Sequence, residues 1–158
     1  MKIFLATDHA GYELKNELLK YLEEELNLDV EDCGAFDYDE NDDYPEIVKS
    51  AIEKLLAAGE KDKAIVIGAS GQGEAIAANR FPGVRAVVYY GEAGNVQTDV
   101  SGNQLDIIQS SRLHNNANVL SLGARFVETE QAKEAVEKWL TTDYQEEKRH
   151  ERRISQLG

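Results

Sequence analysis

The chain has 158 residues, 42% hydrophobic and 30% charged, which is enough apolar material for one buried core and too much for a disordered chain. Thirty acidic residues against 17 Lys and Arg give a formal net charge of −13, leaving no surplus of cations to pair with phosphates; a general nucleic-acid or anionic-membrane binder is excluded. The lone Cys33 excludes an intrachain disulfide framework, and the apolar run after Met1 breaks at Asp8, too short for a signal peptide or membrane span, so a soluble cytoplasmic protein is expected.

In chain order, KIFLAT (2–7) is a short β-type run, and residues 11–26 carry Leu14, Leu18, Leu22 and Leu26 at helical spacing. A strand-like run at 28–33 precedes a helix over 44–59, which has Pro45 in its first turn and Gly59 at its end. AIVIG (64–68) is a continuous apolar run of the kind that a parallel strand buried on both faces requires. The spacing then predicts a helix from about Gly71 to Arg80, a strand at 84–90, a helix around 104–113, a strand at 117–122, a helix over 128–140 and a last, charged helix over 143–157. Such alternation implies right-handed βαβ units and an α/β fold. We expect a three-layer, Rossmann-like, doubly wound parallel sheet of five strands in the flavodoxin-like order 2-1-3-4-5, with an extended C-terminal helix, all in one domain over 1–158. Residues 91–104 are long for a strand-to-helix loop and read equally as a functional flap, an oligomer contact or a disordered insertion.

In such a sheet the ligand crevice lies beyond the carboxyl ends of the strands where the winding reverses, here at Asp8-His9 and at IGASGQGEAIAANR (67–80). The glycine loop lacks the Gly-Lys-Ser/Thr ending of a P-loop, and Ile76 stands where a dinucleotide fingerprint wants glycine or alanine. Its backbone N–H groups and the helix N-terminus still suit an anionic oxygen. Local sequence reads Glu74 and Ser70 first as a dipole partner and a helix cap, with catalytic groups as the other reading. Asp8 reads either as a crevice residue or as an N-cap with His9 a bystander, and His114 as a functional or a structural histidine. The acidic loop at 37–45 lacks the glycine and the final glutamate of a calcium loop, and His9, His114 and His150 have no metal-ligand spacing; no metal is expected. Against the acidic background, KRHERR (148–153) gathers positive charge suited to a small anion.

TDHAGYELK, DCGAFDYDENDDYP, GASGQGEAIAANRFPGVRA, HNNANVLSLGAR and KRHERRI together resemble the ribose-5-phosphate isomerase B family, which also contains galactose-6-phosphate and allose-6-phosphate isomerases. The resemblance covers nearly the whole chain, in order, apart from about 91–104. It implies an aldose–ketose isomerase without metal or cofactor, working through a cis-enediolate. One subgroup carries a catalytic cysteine where Gly68 stands; this chain is similar to the other, whose base is a glutamate at the position of Glu74. The resemblance further implies that the N–H groups of Ala69, Ser70, Gly71, Gln72 and Gly73 hold the enediolate and that Ser70 shuttles a proton. It gives ring opening to His114 with Asp8 near the ring oxygen, sugar or phosphate contacts to His9 and Asn115, and phosphate binding to Arg125, Arg149 and Arg153. It also implies a last helix that reaches a neighbouring subunit, hence a homodimer or a homotetramer with composite sites. Ribose 5-phosphate is the expected substrate; a six-carbon 6-phosphate sugar and a non-catalytic sugar-phosphate-binding module are the alternatives, with neither nucleic acid nor membrane as partner.

Overall fold

Strands and helices alternate along the chain as its apolar patterning requires. In the computed structural model, which describes residues 1–92, 94, 97–100 and 102–157, β1 (Lys2–Thr7) leads through a 3-10 turn (His9–Gly11) into α1 (Tyr12–Lys20), which continues as a wider turn over Tyr21–Glu25. β2 (Asp29–Asp32), α2 (Tyr44–Ala57), β3 (Lys63–Gly68), α3 (Gln72–Ala78) and β4 (Ala86–Tyr89) follow. β5 (Gln97–Thr98) and β6 (Gln104–Leu105) pair as a small antiparallel hairpin, and α4 (Ile107–Asn115), β7 (Val119–Gly123), α5 (Thr129–Thr141) and α6 (Lys148–Ile154) complete the chain.

The main sheet is parallel and runs β2-β1-β3-β7-β4. The α/β class, the five parallel strands and the neighbours β2-β1-β3 are as expected, but the last two strands exchange places: the order is 2-1-3-5-4 in chain order, not 2-1-3-4-5. Burial explains the exchange. Every residue of β7 is buried, so it needs a neighbour on each side, whereas three of the four residues of β4 are half-buried, as an edge strand allows. Because the chain then winds back from β4 to β7, the right-handed rule puts α4 on the opposite face from α3. Accordingly Leu14, Leu18, Ile108, Val136 and Trp139 of α1, α4 and α5, with Leu22 of the wider turn after α1, pack on one face, and Val48, Ala51, Ile52, Leu55 and Ala78 of α2 and α3 on the other.

The over-long stretch at 91–104 supplies β5 and the start of β6; its residues 93, 95, 96 and 101 lie outside the described residues. Helix α4 therefore starts later than its periodicity predicts, at Asp106, whose carboxylate caps it by accepting from the Gln109 N–H at 2.8 Å. The last helix covers Lys148–Ile154 rather than 143–157. The preceding residues cross from α5 to α4, where the Arg112 Nε donates to the Thr142 carbonyl at 3.1 Å and holds that crossing extended. Among the described residues no helix is long and apolar enough to cross a membrane.

Candidate active site

Two groups of polar side chains gather at opposite edges of the sheet. The first stands at the carboxyl ends of β1 and β3, where neighbouring strands leave in opposite directions and open a crevice. Asp8 leaves β1 buried, its Oδ1 accepting from the Ala10 N–H at 3.0 Å; burial pushes its carboxyl above the ordinary range, against that N–H and the neighbouring His9. His9 is held twice by Asp42: the Asp42 Oδ1 accepts from its backbone N–H at 3.1 Å and lies 2.6 Å from its Nδ1. The bond to Asp42 raises the His9 pKa, burial and the Arg125 charge oppose the rise, and Asp8 adds to it.

At the end of β3 the chain turns through Ala69, Ser70 and Gly71 into α3. Gly71 sits at φ +73°, and a Cβ there would come within 2.9 Å of the Leu122 backbone, so the turn admits only glycine without strain. Ser70 precedes the Gly71 N-cap, and its Oγ accepts from the Gln72 N–H at 3.4 Å. Glu74, in the first turn, is 4% exposed, and its carboxylate fills the space above Gly68, where a Cβ would overlap it. Burial raises the Glu74 pKa; its own backbone N–H opposes the rise and Asp8 adds to it. The Tyr44 hydroxyl covers Gly73, 2.9 Å from where a Cβ would stand. Past β7, the Ala124 and Arg125 N–H groups donate to the Gly68 and Ala69 carbonyls at 2.8 and 3.0 Å and fix Arg125 beside this crevice.

The second group surrounds the last turn of α4. The His114 Nδ1 lies 3.2 Å from the Ser110 Oγ, and its ring meets the His150 ring edge-on with centroids 4.7 Å apart. His150 is buried between the Leu113 carbonyl, 3.3 Å from its Nδ1, and Arg149, whose Nε donates to its Nε2 at 2.9 Å. Burial pushes the His114 pKa down, as do His150 and Arg149, while Asp99 and Glu147 pull it up. Thr98, Asp99, His114, Asn115, Arg149 and Arg153 line a cavity of about 330 Å³.

These groups are far apart within one chain. Glu74 lies over Gly68 at the end of β3, which pairs with Gly123 at the end of β7, whereas His114 precedes the start of β7. Arg85, just before β4, donates from Nε to the Asn115 carbonyl at 3.1 Å and pins that end of α4 to the amino edge. The four residue steps of β7 alone span roughly 13 Å at a rise of 3.3 Å each. Of the residues singled out in the sequence, Asp8, His9, Ala69 to Gly73, Glu74 and Arg125 thus fall on the carboxyl edge, and His114, Asn115, Arg149 and Arg153 on the amino edge.

Asp42, Tyr44, Asp99 and His150 are additions that sequence reasoning passed over. Asp42 reads as one more solvated acid until the loop folds back on β1, and Asp99 lies in the stretch without a pattern; only His150, between Arg149 and Arg153 on one helix, carried a local signal. The ligand atoms of Asp8, His9 and Asp42 lie within 4.8 Å of one another, near enough for a metal ion. The His9 Nδ1 and Asp42 Oδ1 face each other at 2.6 Å as an ion pair, while the Asp42 Oδ2 is buried without a hydrogen-bond partner.

Comparison with known proteins identifies the family of the chain. The family described as Ribose/Galactose Isomerase matches residues 3–157. The ribose-5-phosphate isomerase B of Mycolicibacterium paratuberculosis is 38% identical over 158 residues, covering 100% of this chain and 90% of the relative. A protein of Mycolicibacterium smegmatis named D-erythrulose-4-phosphate isomerase 2 is 38% identical over 145 residues, 91% of this chain and 86% of its own. The crystal structure of ribose-5-phosphate isomerase B from Mycoplasma genitalium with bound ribulose 5-phosphate superposes with a TM-score of 0.84 at 31% identity, over 99% of this chain and 93% of that one. Matched in sequence and in fold over nearly all of its residues, the chain belongs to the ribose/galactose isomerase family.

Proposed function

We propose that the protein interconverts ribose 5-phosphate and ribulose 5-phosphate through a cis-enediolate, with Glu74 as the base. The observation that carries this reading is the buried Glu74 carboxylate seated over Gly68 at the mouth of the glycine loop. Isomerisation moves a proton from C2 to C1, which one carboxylate can reach in turn. Because the carbon acid is weak, most of the barrier reduction comes from N–H groups aimed at the developing oxyanion, and residues 69–73 at the N-terminus of α3 supply them. Ser70 passes a proton between the two enediolate oxygens.

The substrate is a furanose and must open first. His114, kept neutral by burial, takes the anomeric proton, and Asp8, whose raised pKa favours its protonated form, gives one to the ring oxygen. His9, whose pKa the Asp42 carboxylate raises, holds the phosphate together with Arg125, Arg149 and Arg153. In this reading the site is assembled between two copies, the carboxyl edge of one facing the amino edge of the other; the separation of Glu74 from His114 across the sheet supports a homodimer. A reducing cytoplasm suits the free, buried Cys33 thiol.

The test is ketose formation from ribose 5-phosphate by wild type and Glu74→Gln. Turnover falls on the order of 10³-fold in the variant, the scale of a lost general base, while competitive binding of a sugar phosphate persists. Retained turnover overturns the assignment. In the wild type the base must be ionised, so activity is present above the raised Glu74 pKa and is lost as pH falls through it, at a higher pH than the ordinary glutamate value of about 4.3 would give. Because a relative of equal identity is named for a four-carbon sugar phosphate, erythrulose 4-phosphate is assayed alongside.

A further inference from the structure

The β5–β6 hairpin, built from the over-long stretch after β4, brings a carboxylate to the amino-edge group. Asp99 closes its turn. The Asp99 N–H donates to the Asn103 carbonyl and the Asn103 N–H to the Asp99 Oδ1, both at 2.9 Å, and the Gly102 N–H donates to the Asp99 carbonyl at 3.0 Å. The side chain is 9% exposed, and its Oδ2 lies 3.9 Å from the His114 Nε2. That is too long for a hydrogen bond, so the carboxylate acts through its charge and leaves the Nε2 lone pair open to a substrate hydroxyl. The other ring nitrogen is occupied by Ser110.

We propose that Asp99 is a positioning residue for ring opening: its carboxylate stabilises the imidazolium that forms as His114 takes the anomeric proton. The inference rests on the isomerase reading and on the role of His114 in it. The proton moves from the anomeric hydroxyl to Nε2, and the O–H pair becomes the second bond of the C1 carbonyl. The bond from C1 to the ring oxygen breaks with its pair on that oxygen, which takes a proton from Asp8 of the other copy. The step therefore creates one cation, on His114. Four ionisable neighbours act on it. His150 and Arg149 oppose protonation, and Glu147 favours it but is paired with the Arg149 Nε at 2.9 Å; Asp99 is the carboxylate that faces the ring. Arg153 adds a further cation to the same cavity. Without Asp99, the new imidazolium would form among cations in a partly buried site.

The two sugars of the proposed reaction separate this role from a structural one. Ribose 5-phosphate is a furanose in water, whereas ribulose 5-phosphate is open-chain, because the oxygen that would close its ring carries the phosphate. Asp99→Asn keeps an oxygen to accept from the Asn103 N–H and removes the charge, at the cost of the 3.3 Å bond that the Asp99 Oδ2 accepts from the Asn103 Nδ2. It is expected to slow turnover of ribose 5-phosphate about tenfold, the equivalent of one unit of His114 basicity, and to leave ribulose 5-phosphate within about twofold of wild type. Asp99→Glu recovers part of the lost rate. Independently of turnover, NMR titration of the imidazole resonances shows His114 titrating at lower pH in Asp99→Asn, with His9 unmoved. Unchanged ribose 5-phosphate turnover, equal slowing with both sugars, or a His114 titration that does not move each overturns the proposal. If wild type is inert toward both sugars, the isomerase reading fails and takes this role with it.

Discussion

Gly68 and Glu74 share one volume, and this makes the residue at the end of β3 as important as the proposed base itself. The Glu74 carboxylate lies where a side chain on residue 68 would stand, and it is the mobile end of a flexible chain, so an added methyl moves it at little cost to the fold. Gly68→Ala is therefore expected to leave the melting temperature nearly unchanged while lowering kcat about 10²-fold, since a displacement of about 1 Å in a reacting group costs that much. Kinetics and a thermal melt on one preparation check this; an unchanged kcat would show that Glu74 works from another position. The same crowding means that a cysteine at this position and a glutamate at 74 would compete for the same space.

Among the elements, the connection from β2 to α2 delivers Asp42 to His9 and Tyr44 to Gly73, and α1 anchors it. Lys15 on α1 is 1% exposed, and its Nζ donates to the Asp32 Oδ2 and the Ala35 carbonyl, both at 2.7 Å. The Tyr12 and Phe36 rings lie 5.6 and 5.9 Å from the same ammonium. Lys15→Met would fill the volume but strand both acceptors. Because Asp32 keeps some solvent, the loss is expected at about 2–3 kcal/mol, below that of a fully buried broken pair. That corresponds to a fall of roughly 5–10 °C in Tm for a chain of this size, read by calorimetry. The KM for the sugar phosphate rises as well, because His9 loses its fixed partner.

For the whole molecule, the placement of Glu74 and His114 on opposite edges has a direct consequence if sites form between copies. Glu74→Gln and His114→Asn, each inactive alone, restore activity when co-expressed. Half of randomly paired dimers are hybrids with one intact site of two, so recovery reaches about a quarter of wild type. No recovery would mean that each site is built within one chain. The sequence by itself determined what is local. The periods of 2 and 3.6 placed the strands and helices, Asp8-His9 and the glycine loop fell at the ends of β1 and β3, and Glu74 fell in the first turn of α3, because repeat spacing and helix starts are written along the chain. Tertiary structure alone decided three matters. β7 entered the sheet between β3 and β4, since two apolar strands look alike until burial distinguishes centre from edge. Asp42 became the partner of His9 and Asp99 that of His114, since a loop carboxylate has no partner until the chain returns to meet it. His114 and Glu74 came to lie a strand's length apart, since distance through the sheet depends on strand order and not on sequence separation.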